Sequence, residues 1–189
     1  RVLDFAQRLI DENLNIKWYS DIRIDQIIRF KKEELKLLKQ AGAEVFLVGA
    51  ESGNLDVLQL VNKQITPGDI IKAAAICQEA QINIIYSIMT GFPDNYEEEF
   101  RDTINMINCL RNYDNTAQIL LCSYTPYPGT ELFEKYKSII RVPDTVFGWS
   151  KYSLLNVNNK WYSRRHASRI KILCFILTWH IVSMQNGKY

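Results

Sequence analysis

The stretch Gly42–Gly53, GAEVFLVGAESG, decides how we interpret the rest of the chain. It opens with a glycine that can end a helix, continues through the apolar run 45–48, and ends in a turn of small residues around Glu51. Two later stretches repeat this order of helix end, apolar run and small-residue turn: 82–93, INIIYSIMTGFP, and 117–132, AQILLCSYTPYPGTEL. None of the three apolar runs alternates with polar residues. We therefore predict strands of a parallel sheet that are buried on both faces.

Helical patterns separate these strands, and one more strand is predicted before them at 16–22. The predicted helices cover 2–14, 33–41, 55–61, 66–80 and a segment that begins at 97. The clearest helix start is TPGD at 66–69, which combines a capping threonine, a proline in the first turn and an acid three residues after the cap. Each passage from strand to strand is long enough for a right-handed crossover. The sequence therefore predicts four parallel strands in an α/β fold.

The composition is that of an ordinary globular protein, since 47% of the 189 residues are hydrophobic and 23% are charged. Charge is unevenly spread: residues 1–144 carry 16 basic and 21 acidic residues, whereas residues 145–189 carry 7 basic and no acidic ones. We therefore divide the chain into an α/β part at 1–140 and an aromatic, basic and helical extension at 141–189. Because Arg1 lies in the middle of a helical pattern, we expect the chain to be part of a longer protein.

The extension ends in one predicted helix at 164–184, which is basic at its start and apolar later. Its apolar part covers only 172–184, whereas a bilayer crossing needs about 20 residues. We predict that this helix docks on the rest of the chain or on a partner; the weaker alternative is that it lies on an anionic membrane surface. No signal peptide and no nucleic-acid motif is recognisable, so the expected location is cytoplasmic and no nucleic-acid partner is expected.

The cysteines and histidines do not show the spacing of a metal site. The four cysteines lie far apart and are predicted to be small buried hydrophobic residues: Cys77, Cys109, Cys122 and Cys174. His166 and His180 have no partner at metal-ligand spacing, so we assign them core or surface positions. The sequence has no phosphate loop, G-x-G-x-x-G motif or Ser-His-Asp arrangement, which argues against kinase, Rossmann-type and hydrolase functions.

Candidate binding residues stand where the predicted strands end, because β/α proteins bind ligands at the carboxyl ends of their parallel strands. Glu51 follows a buried strand and has small neighbours, so its carboxylate can accept two hydrogen bonds from a sugar diol or pair with an amine. Equally, Glu51 can cap the helix that starts near Leu55, with help from Ser52. Both interpretations stay open at this point.

Two other strand ends supply candidates of the same kind. The turn 91–93, Gly-Phe-Pro, is predicted to be rigid, with exposed backbone groups that suit the face and edge of a heterocycle. The alternative for this turn is a plain connection between a strand and a helix. Arg23 lies near the end of the first strand, where the alternative to ligand binding is a salt bridge with Asp21 or Asp25.

Five motifs, in this order, resemble those of radical S-adenosylmethionine (SAM) enzymes. They are GAESG at 49–53, N-x-x-V-L at 54–58, NKQIT at 62–66, TGFP at 90–93 and TPYPGTEL at 125–132. Each motif is weak singly, but the ordered set is specific, and the resemblance covers residues 1–135. The chain resembles in particular the group that often carries a cobalamin-binding domain, typified by the anaerobic magnesium-protoporphyrin ester cyclases and related methyltransferases.

This resemblance implies a partial (β/α)6 TIM-like barrel, of which the chain would supply the last four parallel strands and their crossover helices. In the family, SAM binds across the strand ends beside a [4Fe-4S] cluster. Its cleavage yields a 5′-deoxyadenosyl radical, or its methyl group passes through cobalamin. The family's cluster loop, C-x-x-x-C-x-x-C, does not occur in this sequence. The implied partner is therefore an N-terminal barrel segment with a cobalamin-binding domain, and the chain alone is expected to do no radical chemistry.

The resemblance also assigns residues to parts of the cofactor by their position. Glu51 would hold the ribose or the methionine moiety, and Arg23 would lie near the methionine carboxylate. The turn 91–93 and the residues near Tyr124 would flank the adenine. The cofactor-binding residues implied in this way are Arg23, Glu51, Ser52, Gly91, Phe92, Pro93 and Tyr124.

The sequence departs from the family pattern at three positions. Asp94 and Asn95 stand where a glycine and an acid are usual, and Gln81 stands where a glycine usually ends a helix. Two other functions remain as alternatives. One is an iron-free β/α enzyme that acts on a nucleotide or a sugar phosphate, although no glycine-rich loop supplies a phosphate site. The other is a non-catalytic β/α half-barrel that binds a partner.

Overall fold

The computed structural model describes residues 1–114, 117–140, 143, 145–149 and 161–186. These residues form a four-stranded sheet in which neighbouring strands are parallel and follow the order of the chain. The strands are β1 (Trp18–Asp21), β2 (Ala43–Glu51), β3 (Asn83–Thr90) and β4 (Gln118–Ser123). The helices are α1 (Val2–Asp11), α2 (Ile24–Arg29), α3 (Lys32–Gln40), α4 (Leu55–Leu60), α5 (Pro67–Glu79), α6 (Tyr96–Tyr113), α7 (Glu131–Tyr136), α8 (Val146–Trp149) and α9 (Arg164–Asn186). The predicted α/β fold with four parallel strands is confirmed.

Local sequence signals explain how several helices begin and end. Thr66 and Asp69 exchange hydrogen bonds across the first turn of α5, as the TPGD motif predicts. Gly42 follows α3 with a φ of 93°, and a Cβ at this position would overlap the carbonyl oxygen of Ile16. Gln81 takes the corresponding left-handed conformation after α5, with a φ of 58°. These residues therefore set the points at which the chain enters β2 and β3.

Two elements at the start of the chain differ from the prediction. Helix α1 ends at Asp11, before the predicted end at Leu14, because Asn13 turns the chain with a φ of 54°. Strand β1 is shorter than the predicted strand, since α2 begins soon after it. The sequence pattern does not predict α2, because its six residues follow Arg23 without a capping side chain, whereas the equally short α4 begins after the capping residue Asn54. Its two buried residues, Ile24 and Ile27, pack it into the core.

The described helices cover one face of the sheet more completely than the other. Along β2, Phe46, Val48 and Ala50 are buried in the core, while the residues between them are half-buried. We call this second face the open face; its central residues are Val45, Leu47, Gly49, Ile85 and Ser87. The prediction that both faces are buried is therefore wrong for β2 and β3, whereas Leu121, Cys122 and Ser123 at the end of β4 are all buried. Both faces are apolar in sequence, but these helices pack on only one of them.

The C-terminal helix α9 docks on the sheet, as predicted. Ile170, Cys174 and Leu177 are buried in the same hydrophobic core as the strands, and α9 contacts β4. Much of the predicted aromatic stretch before α9, residues 150–160, lies outside the described residues. The division of the chain at residue 140 stays a prediction. Among the described helices, none is long and apolar enough to span a membrane.

His166 is buried where α9 packs against α6. Its side chain is fully inaccessible to solvent, and three aromatic rings lie 4.7–5.2 Å from it between centroids, those of Tyr96, Phe100 and Tyr162. Burial lowers the pKa of His166, although the Glu97 carboxylate, 3.3 Å from Nδ1, opposes this shift. The folded chain therefore favours the neutral imidazole, and of the two predicted positions, core or surface, His166 takes the core position.

We expect the stability of the protein to fall as the pH drops below about 6.5, the usual pKa of an unfolded histidine. The unfolded chain then binds a proton at His166 that the folded chain binds less readily, so the contribution present above this pH is lost below it. His166→Phe should remove this part of the pH dependence, because phenylalanine fits the aromatic surroundings. Melting temperatures at about pH 7.5 and about pH 5.5 measure the effect. An equal decline in both proteins would contradict the assignment.

Candidate functional site

The end of β2 carries an unusual backbone conformation at Glu51. Its φ is 60°, and the pairing of β2 with β3 shifts register between Gly49 and Glu51. The described residues include four other non-glycine residues with a positive φ, and each of them flanks a helix: Asn13, Asn62, Gln81 and Asn95. A glutamate in this conformation costs about 1–3 kcal/mol, and such strain concentrates at functional sites.

Glu51 forms an ion pair with Lys63, which reaches back to the sheet from the loop after α4. Lys63 Nζ lies 2.9 Å from Glu51 Oε1, and it donates a 3.4 Å hydrogen bond to the carbonyl oxygen of Gly49. The Glu51 side chain is only 15% exposed, and the Lys63 side chain is 29% exposed. A Cβ on Gly49 would lie 2.5 Å from Glu51 Oε1 and 2.8 Å from Lys63 Nζ, so glycine makes room for both charges. The pair therefore lies over Gly49 at the open face.

The structure decides against the capping alternative for Glu51. Asn54 caps α4, because its Oδ1 accepts a 3.1 Å hydrogen bond from the Val57 amide. Ser52 does contribute to this turn, since its Oγ accepts a 3.1 Å hydrogen bond from the Asn54 amide. The carboxylate of Glu51 instead points to Lys63.

Ser52 turns away from the open face. Its side chain is fully buried, and its Oγ lies 3.1 Å from Thr103 Oγ1 on α6. It also donates a long hydrogen bond of 3.5 Å to Glu99 Oε1. The Ser52 hydroxyl, which the sequence analysis assigns to the cofactor, is thus engaged inside the protein, and its predicted contact with the cofactor stays a prediction.

Glu99 is a buried acid that the sequence analysis misses. Its carboxylate accepts hydrogen bonds from Thr90 Oγ1 at 2.9 Å, the Gly91 amide at 2.9 Å and Thr103 Oγ1 at 3.1 Å. Burial raises the pKa of Glu99, while these hydrogen bonds oppose the rise. The signal that would have found it is its helical position, four residues before Thr103 on the buried face of α6.

The turn after β3 packs against the turn after β4 and the start of α9. The rings of Phe92 and Tyr124 stack with centroids 4.6 Å apart, and both side chains are buried. Trp161 Nε1 donates a 3.0 Å hydrogen bond to the carbonyl oxygen of Gly91, whose amide binds Glu99. The expectation that the backbone groups of Gly91 are exposed is therefore wrong. The structure does bring the predicted turn and Tyr124 together, as the sequence analysis expects.

Arg23 stands between β1 and α2 and faces a neighbouring acid. Its Nε donates a 2.8 Å hydrogen bond to Asp25 Oδ1. Of the two salt bridges that the sequence analysis offers as the alternative to ligand binding, the structure shows the one with Asp25. The arginine side chain is exposed, so its proposed place near the methionine carboxylate stays a prediction.

A comparison with known families decides the class of protein. A sequence model of the radical SAM superfamily matches residues 14–107. The chain belongs to the radical SAM superfamily. It is 30% identical over 156 residues to an uncharacterized methyltransferase of Pyrococcus horikoshii, covering 82% of this chain and 32% of that protein. It is 26% identical over 158 residues to the anaerobic magnesium-protoporphyrin IX monomethyl ester cyclase of Cereibacter sphaeroides, covering 82% of this chain and 24% of that protein.

A solved radical SAM enzyme has the same fold. The radical SAM methyltransferase TsrM from Kitasatospora setae, with cobalamin and a [4Fe-4S] cluster bound, superposes with a TM-score of 0.58 at 16% identity. The match covers 76% of this chain and 28% of that one. The four parallel strands and their helices are part of a TIM-like barrel, so the predicted fold class and the predicted family are both confirmed. The chain spans about a third or less of each of these three proteins.

The departure from the radical SAM pattern at Asp94 has a structural use. Asp94 Oδ2 accepts hydrogen bonds from Tyr136 Oη at 2.7 Å and from Lys135 Nζ at 2.9 Å. The hydrogen bond from Tyr136, helped by the one from Lys135, holds the pKa of Asp94 below its usual value despite partial burial. Asp94 thus ties the turn after β3 to α7.

The cysteines of this chain do not fit the three-thiolate site of a radical SAM cluster. Cys77, Cys122 and Cys174 are buried, as predicted, and burial raises the pKa of Cys77 and Cys174 to about 12. Cys109 is exposed on α6, which corrects the prediction that all four are buried. In the part of the chain that the structure describes, no three His, Cys, Asp or Glu side chains are grouped to hold a metal ion.

Proposed function

We propose that this chain forms SAM-binding strand ends of a radical SAM enzyme that acts by radical-based modification or methyl transfer. The observation that carries the proposal is the half-buried pair of Glu51 and Lys63, because it presents a negative and a positive group side by side at a strand end. The family match supports the class of enzyme. We place the ligands of the [4Fe-4S] cluster outside this chain. We include cobalamin as a candidate cofactor, since structural neighbours contain it.

The Glu51–Lys63 pair suits the amino-acid end of SAM, which carries an ammonium group and a carboxylate. Glu51 would accept hydrogen bonds from the ammonium group or from the ribose diol, and Lys63 would pair with the carboxylate. Gly49 leaves space for the Glu51 carboxylate and the Lys63 ammonium group at the open face. When bound, SAM supplies the radical or the methyl group. The residues of this chain hold and orient it.

We assign the adenine to the turns after β3 and β4. The stacked rings of Phe92 and Tyr124 give this end of the site a rigid apolar base, and Pro93 beside them is partly exposed. Arg23 would approach the methionine carboxylate only by exchanging its hydrogen bond to Asp25 for one to the ligand. This makes Arg23 a secondary contact in the proposal.

The test is SAM binding by the native protein, meaning this chain with all sequence that adjoins it in its natural protein. After anaerobic reconstitution with iron and sulfide, isothermal titration calorimetry should show SAM binding at one site, and reduction with dithionite should cleave the bound SAM. A folded native protein that binds a nucleotide or a sugar phosphate but no SAM would support the iron-free enzyme instead. A folded native protein that binds none of these would support the non-catalytic module.

The 189-residue chain alone is the control in this experiment. Its buried cysteines lie on α5, β4 and α9, and they cannot gather around one cluster without rebuilding the fold. Reconstitution of the chain alone should therefore give no stable cluster absorbance and no SAM cleavage. Stoichiometric iron that is lost on replacing Cys77 or Cys122 would contradict the proposed location of the cluster ligands.

A further inference from the structure

Two buried side chains of α6, Glu99 and Thr103, connect the turn after β2 with the turn after β3. They lie one helical turn apart, and their exposed fractions are 1% and 0%. Thr103 Oγ1 accepts a 3.0 Å hydrogen bond from the Gly53 amide and donates a 3.1 Å hydrogen bond to Glu99 Oε1. Glu99 Oε2 accepts from Thr90 Oγ1 and from the Gly91 amide, each at 2.9 Å. A single buried carboxylate is therefore bonded directly to the turn after β3 and, through Thr103, to the turn after β2.

This arrangement makes the positions of the two turns depend on each other. An ionised carboxylate only accepts hydrogen bonds, and a buried one is costly unless its oxygens are satisfied. Moving the Gly91 amide away would leave Glu99 Oε2 short of a donor. Moving the Gly53 amide away would break its hydrogen bond to Thr103 Oγ1. The same hydroxyl group donates a hydrogen bond to Glu99 Oε1. Networks of this kind resist the displacement of any one member.

We propose that Glu99 is a positioning residue that, through Thr103, holds the Glu51-bearing turn at a fixed distance from the Gly91 turn. This inference rests on the proposed function, since the two turns would bind opposite ends of SAM. Glu51 directly precedes Ser52, whose hydroxyl lies 3.1 Å from Thr103 Oγ1. The network thus reaches the turn that carries the charged pair. A site held in its binding geometry loses less entropy when the ligand binds.

The matched variants are Glu99→Gln and Glu98→Gln in the native protein. Both replace a carboxyl group by an amide in the same turn of α6, but Glu98 is an exposed residue paired with Arg101. Glu99→Gln replaces one accepting oxygen by a donor, so we expect SAM to bind about tenfold more weakly. Hydrogen exchange at the Gly53 and Gly91 amides should be faster in this variant. Glu98→Gln should leave the affinity and both exchange rates unchanged.

Thr103 provides a second and independent pair of variants. Thr103→Val keeps the shape of the side chain but removes the hydroxyl, so it should weaken SAM binding and speed exchange at the Gly53 amide. Thr103→Ser keeps the hydroxyl and should restore both values towards wild type. Combining Glu99→Gln with Thr103→Val should cost less affinity than the sum of the single losses, because both act on one network.

The possible results separate this inference from the proposed function. If wild type binds SAM while Glu99→Gln and Thr103→Val bind it equally well, with only lower melting temperatures, the network is merely structural and the positioning role is wrong. If wild type does not bind SAM, the proposed function fails. In that case hydrogen exchange still tests whether Glu99 links the two turns. Faster exchange of the Gly91 amide in Glu99→Gln would support this link, and unchanged exchange would overturn it.

Discussion

Glu51→Ala in the native protein is expected to weaken SAM binding about 5- to 150-fold, which corresponds to about 1–3 kcal/mol. The substitution removes the acceptor proposed for the ammonium group or the ribose. It also leaves Lys63, which is 29% exposed, without its partner of opposite charge. The fold should survive, because Glu51 is the last residue of β2 and does not belong to the hydrophobic core. Calorimetric titration with SAM measures the loss.

The chain offers a matched control on the same strand. Glu44 lies near the other end of β2, is partly exposed, and forms an ion pair with Lys39 at 3.2 Å. Glu44→Ala therefore breaks a similar pair at the same strand without touching the proposed site, and SAM affinity should not change. A melting temperature that falls in Glu51→Ala while the affinity stays at the wild-type value would show that the Glu51 pair is structural.

Exchanging the two charges gives a stricter test of the same assignment. The double variant Glu51→Lys with Lys63→Glu keeps an ion pair of about the same size but reverses its polarity. A structural role would tolerate this exchange, whereas recognition of a ligand with fixed charges would not. We expect the double variant to lose SAM binding, with a melting temperature lowered only by the loss of the long hydrogen bond from Lys63 to the Gly49 carbonyl oxygen. Retained affinity would rule out polar recognition by this pair.

The order and type of the elements follow from local sequence signals, which explains why the strands and most helices are predictable. The TPGD start of α5 depends only on residues in contact with each other, and Gly42 marks the end of α3 by its conformation. Helix α2 is not predicted because, unlike the equally short α4, it begins without a capping side chain. What places it is tertiary burial of Ile24 and Ile27, which no local pattern contains.

The charged pair shows where prediction of the site ends. Glu51 is recognisable because it follows an apolar strand and has small neighbours. Lys63 is separated from it by α4, and nothing local says that its side chain returns to the strand end. The same holds for Glu99, whose position in an acid-rich first turn suggests an interaction with the helix dipole. Apart from Thr103, one helical turn later, its partners are Ser52, Thr90 and Gly91, which only the fold brings near.

The aromatic contacts that bury the Gly91 turn could not be predicted for a related reason. The sequence of this turn predicts exposed backbone groups, because glycine and proline leave such groups accessible. In the folded chain, Trp161 binds the Gly91 carbonyl and Tyr162 packs close to Gly91. These aromatic residues lie about seventy positions later in the sequence, in a segment without a regular pattern. The distance along the chain hides the contact.

Gly53→Ala should lower the melting temperature of the protein by about 6–12 °C, which corresponds to about 3 kcal/mol of overpacking. A Cβ on Gly53 would lie 2.5 Å from the carbonyl oxygen of Asp102 and 2.8 Å from the Cα of Thr103. Both atoms belong to the backbone of α6, so neither can rotate away. Either the turn after β2 or the helix must shift, and the hydrogen bond from the Gly53 amide to Thr103 is lost or lengthened.

Two other glycines separate the expected outcomes of this experiment. Gly68→Ala places a Cβ 3.6 Å from Thr66 Oγ1, an ordinary contact, and should stabilise α5 by about 0.5–1 kcal/mol.

Gly42→Ala should destabilise the protein as Gly53→Ala does, because a Cβ there would overlap the Ile16 carbonyl oxygen and φ is 93°. Gly42, however, precedes β2, at the end of the strand opposite the proposed site. Below both melting temperatures, Gly53→Ala should weaken SAM binding and Gly42→Ala should not. Equal affinities in the two variants would mean that the contact between Gly53 and α6 supports the fold without shaping the site.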